Sequence, residues 1–382
     1  MSTIDHRDYV LLKAEEASFL DLVCFLLSTS TSAQATRFIE FSKPYKKDVQ
    51  KVEIRKRWYI CISIFLQKLL IIFGTPMALS REMLEWLLNL LSSNGGFFKL
   101  WLTIIRKQVV VLNKSSATFT SVVGHLDQRV KLDKNIKPTN DKKYKKSLSM
   151  MACKLSYENE AFVQTIIKKS MESYVEEAST QAIMFKDTNS NPNLIMVAFT
   201  GTKPFDSFGC SRPTEGGFLL TGHSLGGALA ILFVTVLAKH EEAWLLEKLE
   251  GLGEYMKEKM EKYDVKYFRY VYSNDLVPRI PYDNGDSFQH FKTSIYYSNC
   301  YHEYLFKEEP NENYFSLLWA IPKYQNAFWE LIRSFIIPWT RGPDYGETLL
   351  MRMFRVFGLL IPGVPADLTQ DYVNATRLGP KL

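Results

Sequence analysis

Five residues, Gly222-His223-Ser224-Leu225-Gly226, constrain the fold of this chain more than any other feature. They follow the short apolar run 218–221 and open a long helical pattern over 225–249. A GxSxG between a strand and a helix is the signature of a nucleophile elbow. A serine hydroxyl is a poor nucleophile unless it is held exposed beside a base. A sharp strand-to-helix turn holds it so. Gly222 and Gly226 remove Cβ atoms where that turn crowds the neighbouring strand, and Gly227-Ala228 lets the helix sit close. The helix start then offers the backbone N–H of Leu225 to a developing oxyanion.

An elbow needs a sheet around it, and the flanking sequence supplies one. Residues 194–200 are a continuous apolar run ended by Gly201, as in a buried strand. Residues 267–273 are rich in β formers and end at Asn274-Asp275. Helical patterns cover 147–177, and 254–263 is charged and amphipathic. Strand, helix, helix, strand, with reactive residues at strand ends, predicts an α/β fold on a mostly parallel sheet.

Two strand ends carry further candidates. Asp275 stands where the acid of a Ser, acid, His series falls, although a turn or N-cap aspartate fits the same spot. Thr202 is placed to give a second oxyanion donor through its N–H and hydroxyl, or simply to end the strand. His223 neighbours the serine on a tight turn, where adjacent side chains point apart, so it reads as a packed residue and not as the base.

Composition narrows the class. Hydrophobic residues make up 46% and charged ones 23%, which excludes a disordered or collagen-like chain. The aromatic share, 14%, is high enough that many rings must lie in a core or dip into lipid. A net charge of +6 does not by itself call for nucleic acid, and none is expected. The cysteines Cys24, Cys61, Cys153, Cys210 and Cys300 are scattered, with no CxxC, which argues for a reducing compartment without disulfides or zinc. No signal peptide is read near Asp5, Asp8, Glu15 and Glu16.

Outside the core the pattern changes. A basic stretch, 43–57, runs into the apolar stretch 59–79, which Lys68, Gly74 and Pro76 interrupt. Neither side of Lys68 reaches the ~18 apolar residues of a spanning helix. The stretch reads as a core helix or as a monotopic segment with a basic collar for anionic head groups. Residues 95–112 repeat the basic-aromatic mixture, and the lysine-rich 129–146 reads as a solvated linker. Residues 313–339 put Tyr324, Phe328, Leu331 and Phe335 on one helical face and Gln325, Glu330 and Arg333 elsewhere, and 349–364 is a second basic-studded apolar stretch. Such surfaces pack on a core or face lipid. Membrane association is expected of 58–79 and 314–339. The chain thus divides into an apolar, basic region with its linker (1–146), the α/β core (147–308) and a lipid-facing C-terminal part (309–382). No oligomeric state is legible.

GHSLGGALA (222–230), NDLVPRIPYD (274–283), VAFTGT (197–202) and QDYVNATRLG (370–379) together resemble the class 3, fungal-lipase-like triacylglycerol lipases, above all the plant oil-body lipases. The resemblance covers most of the chain. It implies an α/β-hydrolase fold and hydrolysis of acylglycerol esters at a lipid droplet or intracellular membrane, on the cytosolic face, with no cofactor and no metal. It casts Ser224 as nucleophile, Asp275 as triad acid, and Thr202 with Leu225 as oxyanion donors.

Three departures stand out. The family's triad histidine comes shortly before the DYVNATRLG stretch, where this chain has Asp367. Of six histidines only His290 and His302 follow Asp275; His290 resembles a non-catalytic family histidine, and it and His302 are weak candidates for a base that is otherwise unknown. Next, EGGF (215–218) runs directly into the elbow strand, so a helix is missing. Last, 250–253 passes straight into the helix at Glu254, so a central strand is missing. Two readings follow: a serine ester hydrolase on neutral lipid, impaired in its base, or a non-catalytic, lipid-binding relic.

Overall fold

The computed structural model describes residues 10–27, 38–41, 54–138, 142–168, 174–178, 182–187, 194–200, 217–239, 266–280, 294–306 and 314–379. The chain forms two compact units, Met1–Trp86 and Leu87–Leu382.

In the first unit β1 (Val10–Leu12) pairs antiparallel with β2 (Ile39–Phe41), beside α1 (Phe19–Leu27) and the start of α2 (Ile54–Ser93). Leu22, Phe25, Phe38, Cys61 and Ile64 form its small core. Arg57 lies over the Phe25 ring and donates to the Phe25 carbonyl, which ties α2 to α1. The sequence suggested a break in this helix near Lys68, Gly74 and Pro76; instead α2 continues through all three for 40 residues. A proline removes one backbone donor, and the turns on either side keep theirs. Continuity makes α2 long and apolar enough to cross a membrane, and little of its most apolar window is buried.

The second unit holds the sheets. β3 (Tyr174–Ala178), β4 (Ala182–Asp187), β5 (Leu194–Phe199) and β6 (Gly217–Gly222) form one sheet in that order. β7 (Arg269–Tyr272), β8 (Ser294–Tyr297) and β9 (Glu303–Phe306) form another. The sheets are mixed, which corrects the expected mostly parallel one. β5/β6 and β7/β8 are parallel, whereas β3/β4, β4/β5 and β8/β9 are antiparallel. The antiparallel pairs are joined by a handful of residues, and a parallel neighbour needs a crossover of a dozen or more. Among the described residues β6 pairs only with β5 and β7 only with β8, so the serine strand and the acid strand lie in separate sheets.

Every residue of β5 is buried, as its unbroken apolar run requires. α5 (Lys142–Leu155) packs on it, and α10 (Thr369–Leu378) packs on α5; Leu148, Met151, Ala152, Val373 and Ala375 belong to the one core cluster they share. The expected linker 129–146 is partly tied down. Arg129 pairs with Asp127 at 2.8 Å and donates to Asn374 at 2.7 Å, and Lys146 pairs with Glu303.

α8 (Ala320–Arg341) and α9 (Leu349–Phe357) are inside out. Tyr324, Phe328 and Phe335 are exposed, while Glu330 and Arg333 are buried. Arg355 on α9, 1% exposed, donates to Glu330 (3.2 Å), Glu347 (2.8 Å) and Asp371 (2.6 Å). Arg333 donates to Asp371 and to the Tyr272 hydroxyl, both at 2.7 Å. Buried charges persist only when paired in this way. The network fastens α8 and α9 to α10, the helix that follows Asp367.

Candidate active site

The elbow forms where the sequence places it. β6 ends at Gly222, α7 (Leu225–Lys239) begins at Leu225, and Ser224 between them has φ +54°. A non-glycine residue there carries strain of order 1–3 kcal/mol, held by its surroundings. A Cβ on Gly222 would collide with the Gly226 carbonyl, and one on Gly226 with the Phe199 carbonyl of β5. Both glycines are therefore steric requirements of the turn. Leu225 is the first residue of α7, where N–H groups have no partner within the helix.

Ser224 Oγ donates to Asp367 Oδ2 at 3.1 Å. Asp367 ends the 3-10 turn Pro365–Asp367 just before α10. Its other oxygen lies 3.8 Å from His223 Nε2. His223 Nδ1 is 3.1 Å from the Tyr157 hydroxyl, and its ring stands edge-on to Tyr157 and Tyr372. It is packed, as expected, and it also faces the carboxylate beside the serine. Burial lowers its pKa below the usual histidine range against the pull of the Asp275 carboxylate.

Asp275 follows β7 and is buried. Oδ2 accepts the Tyr372 hydroxyl at 2.5 Å and Oδ1 accepts the Val277 N–H at 2.9 Å. The second bond is a turn bond, so Asp275 shapes its loop as well as facing the site. Burial, and then the charge of Asp367, push its carboxyl up to about 7. Burial likewise pushes Asp367 up to about 7, against the hydrogen bond from Ser224. Two carboxyls in one mostly dry site do not ionise together easily, so the titration of one affects the other.

Thr202 and His290 lie outside the described residues. His302 sits in the exposed turn between β8 and β9. Among the described residues no cluster of three or more His, Cys, Asp or Glu is suited to a metal ion. Sequence reasoning missed Tyr372 and the facing of His223. Tyr372 lies inside QDYVNATRLG, so the motif carried the signal, but only the fold points its hydroxyl at Asp275.

The class 3 lipase family model matches residues 209–285, which contain both Ser224 and Asp275. A triacylglycerol lipase of Nicotiana tabacum is 32% identical over 477 residues, covering 85% of this chain and 83% of the relative. The chain belongs to the class 3 lipase family. Triacylglycerol lipases of Arabidopsis thaliana and Ricinus communis are 28% and 27% identical over 495 and 513 residues, spanning 98% and 99% of this chain and 95% and 96% of theirs. Those stretches exceed the 382 residues present here, so these relatives carry segments without a counterpart in this class 3 lipase. No solved structure matches it. The family is one of hydrolases, and this member's serine touches a carboxylate where the family resemblance expects an imidazole.

Proposed function

We propose that this class 3 lipase is a slow serine ester hydrolase acting on acylglycerols at the cytosolic face of a lipid droplet or intracellular membrane. The fold behind it is of the fungal-lipase α/β-hydrolase type. The observation that carries the reading is the Ser224 hydroxyl, presented at a left-handed elbow and donating to Asp367. In the reaction Ser224 Oγ attacks the ester carbonyl carbon while its proton passes to the Asp367 carboxylate. The oxyanion meets the Leu225 N–H at the start of α7, with Thr202 as the second donor. The proton then goes to the leaving alcohol, and water releases the acyl group by the same route. Asp275, held by Tyr372 and Val277, keeps its position through these steps.

A carboxylate is a weak base for this work. Burial lifts Asp367 toward the working pH, but ionised Asp275 competes for the same proton. Loss of one triad member lowers turnover by about 10⁴–10⁶ in well-studied serine hydrolases. The outward aromatic faces of α8 and α9, and the exposed apolar length of α2, supply the lipid contact, with 58–79 and 314–339 as its main segments.

Asp367 in the imidazole's place also favours a second reading, a lipid-surface binder without turnover. Purified chain and Ser224→Ala, assayed on emulsified triacylglycerol and on a water-soluble short-chain ester, separate the two. Slow, Ser224-dependent hydrolysis that rises with pH through about 7 is expected of the enzyme. Equal rates in both proteins leave the binder.

A further inference from the structure

The end of α2 and the helix α3 (Phe97–Ile105) form a small hairpin whose side chains and backbone are arranged in opposite ways. Outside, Phe97, Phe98 and Trp101 are 72%, 85% and 63% exposed, and Ile104, Ile105, Val110 and Val111 are at least half exposed. Only Leu100 of α3 is buried. The exposed polar side chains that interrupt this surface are Lys99, Arg106, Lys107 and Gln108. A water-facing tip of this kind has no reason to be so apolar.

Inside, both helix C-termini are closed by the chain itself. α2 ends with Gly95 at φ +76°, where Gly96 N–H donates to the Leu91 carbonyl (2.8 Å) and Gly95 N–H to the Ser92 carbonyl (3.3 Å). α3 ends the same way on Lys107 at φ +54°, with Gln108 N–H on the Thr103 carbonyl (2.9 Å) and Lys107 N–H on the Ile104 carbonyl (3.0 Å). These paired closures satisfy carbonyls that a helix end otherwise leaves to solvent. The returning strand of chain is pinned by Asn94. Its side chain accepts the Val110 N–H at 3.0 Å and donates to the Val110 carbonyl at 2.8 Å. Ser93 Oγ adds a second bond to that carbonyl at 3.2 Å. Internal satisfaction of irregular backbone is what a hydrocarbon environment demands.

Charge names the partner. From residue 86 to residue 126 there is no aspartate or glutamate, while Lys99, Arg106, Lys107 and Lys114 are present. A surface of anionic phosphate headgroups over acyl chains complements both features. Length sets the depth. Nine helical residues reach about 13 Å, less than half of a ~30 Å hydrocarbon core, so the hairpin enters one leaflet and does not cross.

We propose that residues 95–111 are a monotopic wedge that inserts Phe97, Phe98 and Trp101 into one leaflet of an anionic phospholipid surface. The wedge rests on the lipid-surface reading above for its purpose only, because vesicle binding is measured without turnover. The full chain is tested by flotation with phosphatidylcholine vesicles, with and without phosphatidylserine. The double variant Phe98→Glu/Trp101→Glu lowers affinity by about tenfold or more with an unchanged thermal transition, since both side chains are exposed in the free protein. Lys99→Gln/Arg106→Gln/Lys107→Gln removes the phosphatidylserine preference, about fivefold per charge. Asn94→Ala, which frees the Val110 backbone, weakens insertion while both charge patterns are intact. A folded Phe98→Glu/Trp101→Glu protein that binds vesicles like wild type overturns the wedge. So does a double variant that instead changes a dimer to a monomer in sedimentation, which would make a second copy the occupant. Failure of the hydrolase reading shows separately, as Ser224-independent turnover of the soluble ester.

Discussion

The two halves of the site around Ser224 are built by different forces. The elbow half, β5, β6 and α7, is set by sterics among residues close in sequence: Gly222, Gly226 and the Phe199 carbonyl leave room for one turn only. The acid half is set by charge and hydrogen bonds among residues far apart. Tyr372 reaches Asp275 across 97 positions, and Ser224 reaches Asp367 across 143. Behind it, Arg355 and Arg333 clamp Asp371, one residue before Tyr372. A steric half survives in a short motif. An electrostatic half needs the whole fold, and one substitution changes its chemistry without disturbing its shape.

The strongest challenge to that division is to repair the acid half. If sterics already present Ser224 correctly, Asp367→His should raise turnover of a soluble ester by about 10²–10⁴-fold, the usual worth of a placed general base. An unchanged rate would mean that the elbow half is also defective, through the segments that the relatives carry and this chain lacks.

Next in size is the clamp. Arg355→Ala leaves Asp371, Glu330 and Glu347 without their main cation in a buried site, and should cost about 3–5 kcal/mol in urea unfolding. A loss below about 1 kcal/mol would show that these carboxylates are solvated and the acid half is not electrostatically held.

Gly226→Ala tests the other side. Its new methyl meets the Phe199 carbonyl, so about 1–3 kcal/mol of overpacking strain is expected together with loss of any Ser224-dependent hydrolysis. Full retention of both would remove sterics as the cause of the elbow.

Similar in size is a pH dependence confined to the acid half. Asp275 and Asp367 have folded pKa values raised above the usual carboxylate range. Their contribution to stability is therefore complete below about pH 4 and is lost as pH rises through about 7. The melting temperature should fall by several degrees between pH 5 and pH 8, on the order of 3 kcal/mol for each carboxyl that ionises near 7. Asp367→Asn should flatten that slope, because Asp275 then ionises without a charged neighbour. A slope unchanged in Asp367→Asn would place its origin elsewhere.

Legibility in the sequence follows the same split. Ser224, Gly222, Gly226 and the β5 run were readable because a turn and a buried strand are local patterns. The scarcity of histidines after Asp275, only His290 and His302, was readable by counting. The inside-out polarity of α8 was not, since periodicity defines a face and not the side it points to. Only the partners Arg355, Asp371 and Tyr272 turn Glu330 and Arg333 inward. The mixed sheets escaped notice because apolar runs carry no strand direction. α2 read as broken because its interruptions are visible one by one, while helix continuity depends on their neighbours.

The left-handed backbone of Ser224 has an evolutionary meaning. Glycine adopts that conformation freely, so Ser224→Gly should stabilise the protein by about 0.5–1 kcal/mol, less the entropy glycine adds to the unfolded chain. Drift in a site freed from all chemistry runs toward such relaxing changes. Position 224 nonetheless holds a serine, whose left-handed backbone makes the turn expensive to hold and whose hydroxyl reaches Asp367.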